Sequence, residues 1–506
     1  MKSSYINVVA TVSGAAILAV AITGIRLLAP FYGVSLNLWT AVLCVTLAGL
    51  AVGFIAGGRT QHNPAAAKHL LTCFAIAGIW IIIIPYIKHF VFGLAGLLGL
   101  RASLPISSAI LFFPPITLLG MVFPIGTKLQ NGSSASNLYA IAALAGVVSV
   151  LLTGFHLIPY IGVTHTLVGT GLVLLLVAII GSYMEKNTKL PLMALQLLFG
   201  VGIFALWIPN LENPNPDHGL KMVRQSEFSD LRVIDTDEGR FMMIDGGVAS
   251  FVDTTNWIST LHYNAVSDFP RNILARPSKL LLIGLGSGSI VKQYALAGWY
   301  IEAVEPDAEV IQTARDYFRL QPGDGTIIES DGRVFLNNTS EAYDLILIDA
   351  FGGSAIPYNL LTAEAFAEIS NHLTDEGFLA LDIPAAGWKD PLLSNITLTL
   401  QQTFRNVVAL PQEEPPDHYG CVTIMAGKRT LAPVTEPERN VGWEPNWRFG
   451  PEYQKTHAWD NRFTPDTRSA KLLTDDRSSL DLDINAINLA AREDLHSSFE
   501  KNNLIW

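Results

Sequence analysis

Three carboxylates close three successive strand-like runs in the second half of the chain. Glu305 ends YIEAVE, Asp331 follows the run in GTIIESDGR (325–333), and Asp349 ends the apolar part of YDLILIDAF (343–351). Ahead of them KLLLIG (279–284) leads into GLGSGS at 284–289, with a helix expected from about Ile290. Glycines at 284, 286 and 288 permit a tight turn and let a ligand approach the backbone at a helix N-terminus. Their spacing is G-x-G-x-G, not the dinucleotide G-x-G-x-x-G, so the turn alone specifies little. Glu305 lies 17 residues beyond Gly288. At that strand end a carboxylate can accept two hydrogen bonds from a ribose diol; the plainer alternative is a solvated acid. Asp331, followed by Gly332, is placed to accept from an adenine amino group. Ligands of open α/β sheets sit beyond the carboxyl ends of the strands, so three acids there would line one crevice.

The elements that must position these acids read as strand–helix alternation from Lys279, which implies a parallel sheet with helices on both faces. Helix 362–373, strand 377–383 (GFLALDI) and a last strand near 420–426 complete a Rossmann-like, methyltransferase-type sheet over 271–431. Before it, SDLRVIDTDEGRFMMIDGGVASFVD (229–253) alternates in short runs broken by glycines, as expected of a small β-hairpin domain at 221–270. Residues 209–220, rich in Pro and Asn, read as a linker. Residues 432–506 form a C-terminal extension with Trp443, Trp447, Phe449, Tyr453, Trp459 and Phe463 among prolines and charges. Packing against the sheet or a partner is the expected use of those rings.

The first 208 residues have a different chemistry. They hold nine Lys/Arg and a single acid, Glu185, of totals of 33 and 44 for 506 residues; this half is near +8 and the remainder near −19. Apolar runs of spanning length recur at 6–28, 36–58, 70–87, 104–126, 138–158, 161–184 and 190–208, about seven crossings of a lipid bilayer. Residues 90–100 are too short to cross alone. His156 and His165 flank a short turn at 158–162; anchoring is a plainer use of this half than a transport path. With seven crossings the cationic loops put the N-terminus in the cytoplasm and the acidic domain outside, whereas a nucleoside-type ligand argues for the inside. An even number of crossings would reconcile the two. The acidity of the soluble half excludes a nucleic-acid footprint. Cys44, Cys73 and Cys421 are too scattered for a disulfide framework or a metal site.

Taken together, LLIGLGSGS, VEPDAEVIQTARDYF, DGRVFL, YDLILIDAFGGSAIP with LLT, and LLTDDRSSLD (472–481) resemble the spermidine synthase group of polyamine aminopropyltransferases. With RLLAPFYG (26–33) and GFIAGGR (53–59), the whole chain resembles bacterial membrane proteins that fuse transporter-like helices to such a domain. The resemblance implies that Gly284, Gly286, Gly288, Glu305, Asp331 and Gly332 hold decarboxylated S-adenosylmethionine or S-adenosylmethionine, without a metal. It implies that Asp349 orients or deprotonates an attacking amine, that loop 350–361 is a lid, and that a homodimer or a membrane-complex partner is to be expected.

The sequence also departs from that group. A second Asp usually follows the first within a few residues; here Asp349 is followed by Ala350, Phe351, Gly352, Gly353 and Ser354. The acidic-aromatic stretch that grips the polyamine reads TTNWISTLHYNAV (254–266), leaving Tyr263 or His262 as substitutes. A dication needs carboxylates to offset its desolvation, and one Asp is thin for that. Three functions therefore compete: aminopropyl transfer to an amine, another S-adenosylmethionine-dependent transfer such as methylation of a membrane-associated acceptor, and a non-catalytic binding or assembly module.

Overall fold

A computed structural model describes residues 3–60, 65–98, 100–130, 135–184, 219–255, 257, 259, 261–274, 276–351, 357–412, 416–435, 451–476, 487 and 491. The apolar run at 190–208 lies outside these residues, as do the centre of the expected lid (352–356) and Trp443, Trp447 and Phe449.

The apolar half folds into helices α1 (Ser3–Tyr32), α2 (Leu36–Thr60), α3 (Ala66–Gly96), α4 (Leu100–Leu129), α5 (Ala135–Leu152) and α6 (Ile158–Met184). Among the described residues five helical stretches are long and apolar enough to cross a membrane, the last of them, Ser136–Met184 (49 residues), being two helices that meet at a kink. The two runs expected at 138–158 and 161–184 are joined by a π-helical turn, Thr153–Leu157, and bent at Gly162 (φ 82°, ψ 167°). The stretch at 90–100 is no separate element: α3 continues through it to Gly96. Small residues let helices touch backbone to backbone. A Cβ on Gly53 of α2 would meet the Thr117 carbonyl of α4 at 2.4 Å, and one on Gly14 of α1 would meet Ala142 of α5 at 2.2 Å.

Contacts along α1 fix the direction of its neighbours. Ile6 clusters with Leu138 at the start of α5, and Ser149 further along α5 donates to the Ala15 carbonyl. Tyr5 donates to Val177, near the end of α6. Hence α5 runs with α1 and α6 returns against it. His156 and His165, by the bend, have exposed side chains.

The soluble half begins with a four-stranded antiparallel sheet, β1 (Leu220–Gln225), β2 (Asp230–Asp235), β3 (Arg240–Ile244) and β4 (Gly247–Val252), in sequential order. A seven-stranded sheet follows, made of β5 (Lys279–Ile283), β6 (Tyr300–Glu305), β7 (Thr326–Glu329), β8 (Tyr343–Ile348), β9 (Leu373–Ala385), β10 (Asn406–Pro411) and β11 (Gly420–Gly427). Its order is β10-β11-β9-β8-β5-β6-β7. The five strands from β9 to β7 are parallel, and β11 and β10 close the edge antiparallel. Buried faces on both sides explain why KLLLI and YDLILI are almost uninterrupted apolar runs. The chain order reverses between β5 and β8, and a crevice opens at such a switch point.

The helices that matter to that crevice are α7 (His262–Ser267), α8 (Ser289–Leu296), α9 (Ala308–Phe318), α10 (Gly332–Asn338), α11 (Ala363–Asn371), α12 (Pro391–Leu400) and α13 (Pro451–Asp460). In the C-terminal extension Trp459 stacks on Phe269 (5.2 Å) and Phe463 on Trp388 (5.6 Å), so these two rings pack against the sheet domain, whereas Tyr453 is exposed and stacks on His457 of its own helix. The two halves meet at the β1–β2 turn. Arg26 of α1 donates to the carbonyls of Phe228 (2.9 Å) and Glu227, and Gln225 accepts from Val163 N beside the bend (3.1 Å).

Candidate functional site

The glycine turn is shaped by close approach at each position. Gly284 has φ +98°, and a Cβ there would meet the Asp349 carbonyl oxygen at 2.1 Å. The ends of β5 and β8 are locked together here, since Asp349 N donates to the Ile283 carbonyl (2.9 Å). Gly288 (φ +77°) is the N-cap of α8 and lies against Leu320. At Gly286 (φ +51°) the neighbour is Ser250 Oγ of β4, which also accepts from Ser287 N (3.1 Å). Sequence reading missed Ser250, because only the folded strand brings β4 onto the turn.

Glu305 closes β6 beside this turn. Its Oε2 accepts from Leu285 N (3.1 Å) and its Oε1 from Asp307 N (3.0 Å). Each oxygen keeps a further lone pair, as a ribose diol would require. Burial raises its pKa to about 7, opposed by those two backbone hydrogen bonds and assisted by the charge of Asp307. Asp331 is the N-cap of α10: one oxygen accepts from Arg333 N (2.9 Å) and Val334 N (3.1 Å). A cap is therefore its visible duty. Gly332 packs on the sheet, since a Cβ would meet Ile283 Cγ2 at 2.5 Å. Both are placed as expected along the chain, with local structural reasons for being there.

Asp349 and a residue that sequence reading passed over, Asp382, form the other end of the crevice. Ile348 pairs with Leu381 across the parallel β8–β9 ladder. The next residues in register, Asp349 and Asp382, therefore lie side by side on one face, with strands about 4.8 Å apart. That face also carries Leu345, Leu347, Phe378 and Ala380 and is covered by α7, α8 and α13. Asp382 is buried and accepts from Ser267 Oγ and from Thr423 Oγ1 (2.5 Å). Burial raises its pKa to about 6, against the pull of those two hydroxyls. Asp349 accepts no side-chain hydrogen bond from the described residues. Burial first, and the charge of Asp382 second, hold its pKa well above the usual carboxylate range.

Tyr263 comes from α7 on the same side as Ser267, one helical turn away. Its hydroxyl donates to the Ala249 carbonyl (3.3 Å). Burial, then the charges of Asp349, Asp382 and Cys421, raise its pKa well above the ordinary tyrosine value. The backbone of His262 opens α7, while its side chain lies outside the described structure. No group of three or more metal-ligating side chains occurs among the described residues.

A parallel sheet with a glycine turn, a strand-end acid beside it and a pair of acids on neighbouring strand ends defines a Rossmann-type α/β fold. Comparisons with known proteins narrow the class. The chain is 39% identical over 112 residues to a polyamine aminopropyltransferase of Vibrio vulnificus, covering 21% of this chain and 37% of that protein. It is 28% identical over 188 residues to one of Streptococcus pneumoniae, covering 34% and 64%, so it spans less than two thirds of these first relatives' length. A third, from Bacillus cytotoxicus, is 23% identical, over 42% of this chain and 79% of the relative. Solved structures matching it include a probable spermidine synthase of Corynebacterium glutamicum (18% identity, TM-score 0.38, 41% of this chain and 80% of that one). Spermidine synthase of Thermotoga maritima is another (17%, 0.38, 47% and 83%). No family model matches the chain. Part of the chain is thus similar to polyamine aminopropyltransferases, and its first 184 residues contribute long apolar helices.

Proposed function

We propose that this is a membrane-anchored aminopropyltransferase that moves an aminopropyl group from decarboxylated S-adenosylmethionine to an amine. One observation carries the reading. The glycine turn and Glu305 share a switch point with Asp349, an acid that no described donor satisfies, in a chain whose curated relatives are named for that activity.

The residues fit the nucleoside donor. Gly284, Gly286 and Gly288 keep the turn free of side chains, Glu305 offers a lone pair on each oxygen to the ribose, and the second oxygen of Asp331 faces no described donor. When bound, the donor supplies an electrophilic methylene beside a sulfonium. An alkylammonium must lose a proton to become a nucleophile. Asp349, once ionised, takes that proton at its carboxylate oxygen. Tyr263 walls the same space and restricts water.

Phe228 accepts from Arg26 of α1 and Gln225 from Val163 N of α6, whereas Arg59, Lys68 and Lys128 lie at helix ends on the Ser3 side. Counting Lys2, Lys186 and Lys189 from the sequence, the Ser3 side carries six cations against Arg26, Lys88 and Arg101 on the other. By the positive-inside rule this favours a cytoplasmic Ser3 side and an external C-terminal domain, whereas the nucleoside donor favours the opposite side. The external placement favours a second reading, a binding module for nucleosides or amines without transfer, because nucleoside donors are made inside cells.

Incubation with radiolabelled decarboxylated S-adenosylmethionine and putrescine tests the first reading: methylthioadenosine release is the expected result. S-adenosylhomocysteine release from S-adenosylmethionine would instead mean methyl transfer. Binding of nucleoside or amine by calorimetry with no product from either donor would leave the module. Cysteine labelling of Glu238→Cys in intact cells and in inverted vesicles reads the side directly.

A further inference from the structure

We propose that Asp382 is the second acid of the acceptor site, forming with Asp349 a two-carboxylate seat for one primary ammonium. This rests on the amine-acceptor reading above and deepens it. A second acid is not found where the chain continues after Asp349; the sheet supplies it from the neighbouring strand instead.

The geometry is specific. Asp349 and Asp382 follow the register pair Ile348–Leu381, so their side chains leave the sheet on the same side. Asp382 is held from behind: Thr423 of β11 donates to one oxygen and Ser267 of α7 to the other. These donors fix the carboxylate and keep its charge despite burial. Asp349 has no such donors among the described residues, and it is half-buried just past the end of β8. Two acids this close cannot both ionise cheaply in an empty site, so one proton is shared between them. An ammonium supplies the missing charge and three N–H donors, and its arrival expels the shared proton. Asp382 thus seats the acceptor, while Asp349 is the acid free to take the next proton.

The test uses the full-length protein in detergent, with putrescine as the acceptor probe. Calorimetry should show wild-type binding with proton release, read from two buffers of different ionisation enthalpy. Asp382→Asn keeps size and hydrogen-bonding capacity; it should weaken putrescine binding about ten- to a hundredfold, the loss of a charged hydrogen bond. Its affinity for decarboxylated S-adenosylmethionine should stay within about twofold, which also reports that it folds. Where transfer is observed, the acidic limb of kcat/KM against pH should move to lower pH, since Asp349 loses its neighbour's charge. Thr423→Val removes a donor that favours ionised Asp382 and should move that limb to higher pH. This opposite shift is not expected of a purely structural residue.

Wild type that binds no amine overturns the proposal. So does Asp382→Asn with unchanged putrescine affinity and proton release. Amine binding that depends on Asp382 without turnover would support the seat while sinking the transferase reading, so the two failures are distinguishable.

Discussion

The carboxylate of Asp307 accepts from Ser226 Oγ at 2.6 Å, and through this bond the turn that grips the apolar helices also grips the end of β6 beside the glycine turn. Ser229 donates to the same oxygen (3.0 Å), and the Asp307 backbone N–H holds Glu305. Arg26 fastens the other side of the turn. A continuous set of polar contacts therefore joins α1 to the end of β6. Asp307→Ala removes the acceptor of two buried hydroxyls and the cap of α9. A loss of about 2–4 kcal/mol in unfolding free energy is expected, with weaker nucleoside binding. Ser226→Ala should cost about 1 kcal/mol or a little more. Denaturant unfolding of both variants, alongside nucleoside titration, checks this.

Glu305 gives a pH signature. Its pKa in the fold is raised to about 7 by burial. The folded state therefore holds a proton that the unfolded chain releases near pH 4.3. Stability from this group is present at low pH and declines as pH rises from about 4 through 7. Ribose hydroxyls donate to the ionised form, so nucleoside affinity should rise through pH 7 and level off above it. Glu305→Gln should abolish that rise and weaken binding at pH 8 by about 1–3 kcal/mol. Calorimetric titration and thermal unfolding at pH 6 and pH 8 read both effects.

The sheet and its three strand-end acids were legible because their signals are local: an apolar run, then an acid, with glycines after the first strand. Asp382 was not, since GFLALDI reads as one buried strand and only the β8–β9 register puts that acid beside Asp349. Ser250 was hidden for the same reason, its partner lying 37 residues away. Asp331 and Gly332 show the converse: residues expected at a binding site also have local duties, capping α10 and packing on Ile283. Hydropathy marked the apolar runs but cannot tell a helix that bends at Gly162 from two helices with a loop. The strand β10 escaped notice because NVVALP is short and ends in proline, which only its edge position tolerates.

Asp349→Asn separates binding from chemistry. Asn fills the same space and removes the proton acceptor, so nucleoside affinity should stay within about twofold of wild type. Turnover should fall by about 10²–10⁴, the usual worth of a positioned base. Loss of the acidic limb in the pH profile should accompany the fall. Unchanged turnover would assign proton removal to another group.

Gly284 tests whether the crevice depends on backbone contact. A methyl group there would lie 2.1 Å from the Asp349 carbonyl oxygen, at φ +98°, and backbone cannot yield as a flexible side chain can. Gly284→Ala should destabilise the soluble domain by about 3 kcal/mol or more and abolish nucleoside binding. Gly323, a turn residue around which a Cβ would meet nothing within 4 Å, is the matched control. Gly323→Ala should change stability by no more than about 0.5 kcal/mol and leave binding intact. If Gly284→Ala unfolded and bound like Gly323→Ala, the ends of β5 and β8 would not be locked, and the close approach that shapes the glycine turn would lose its physical basis.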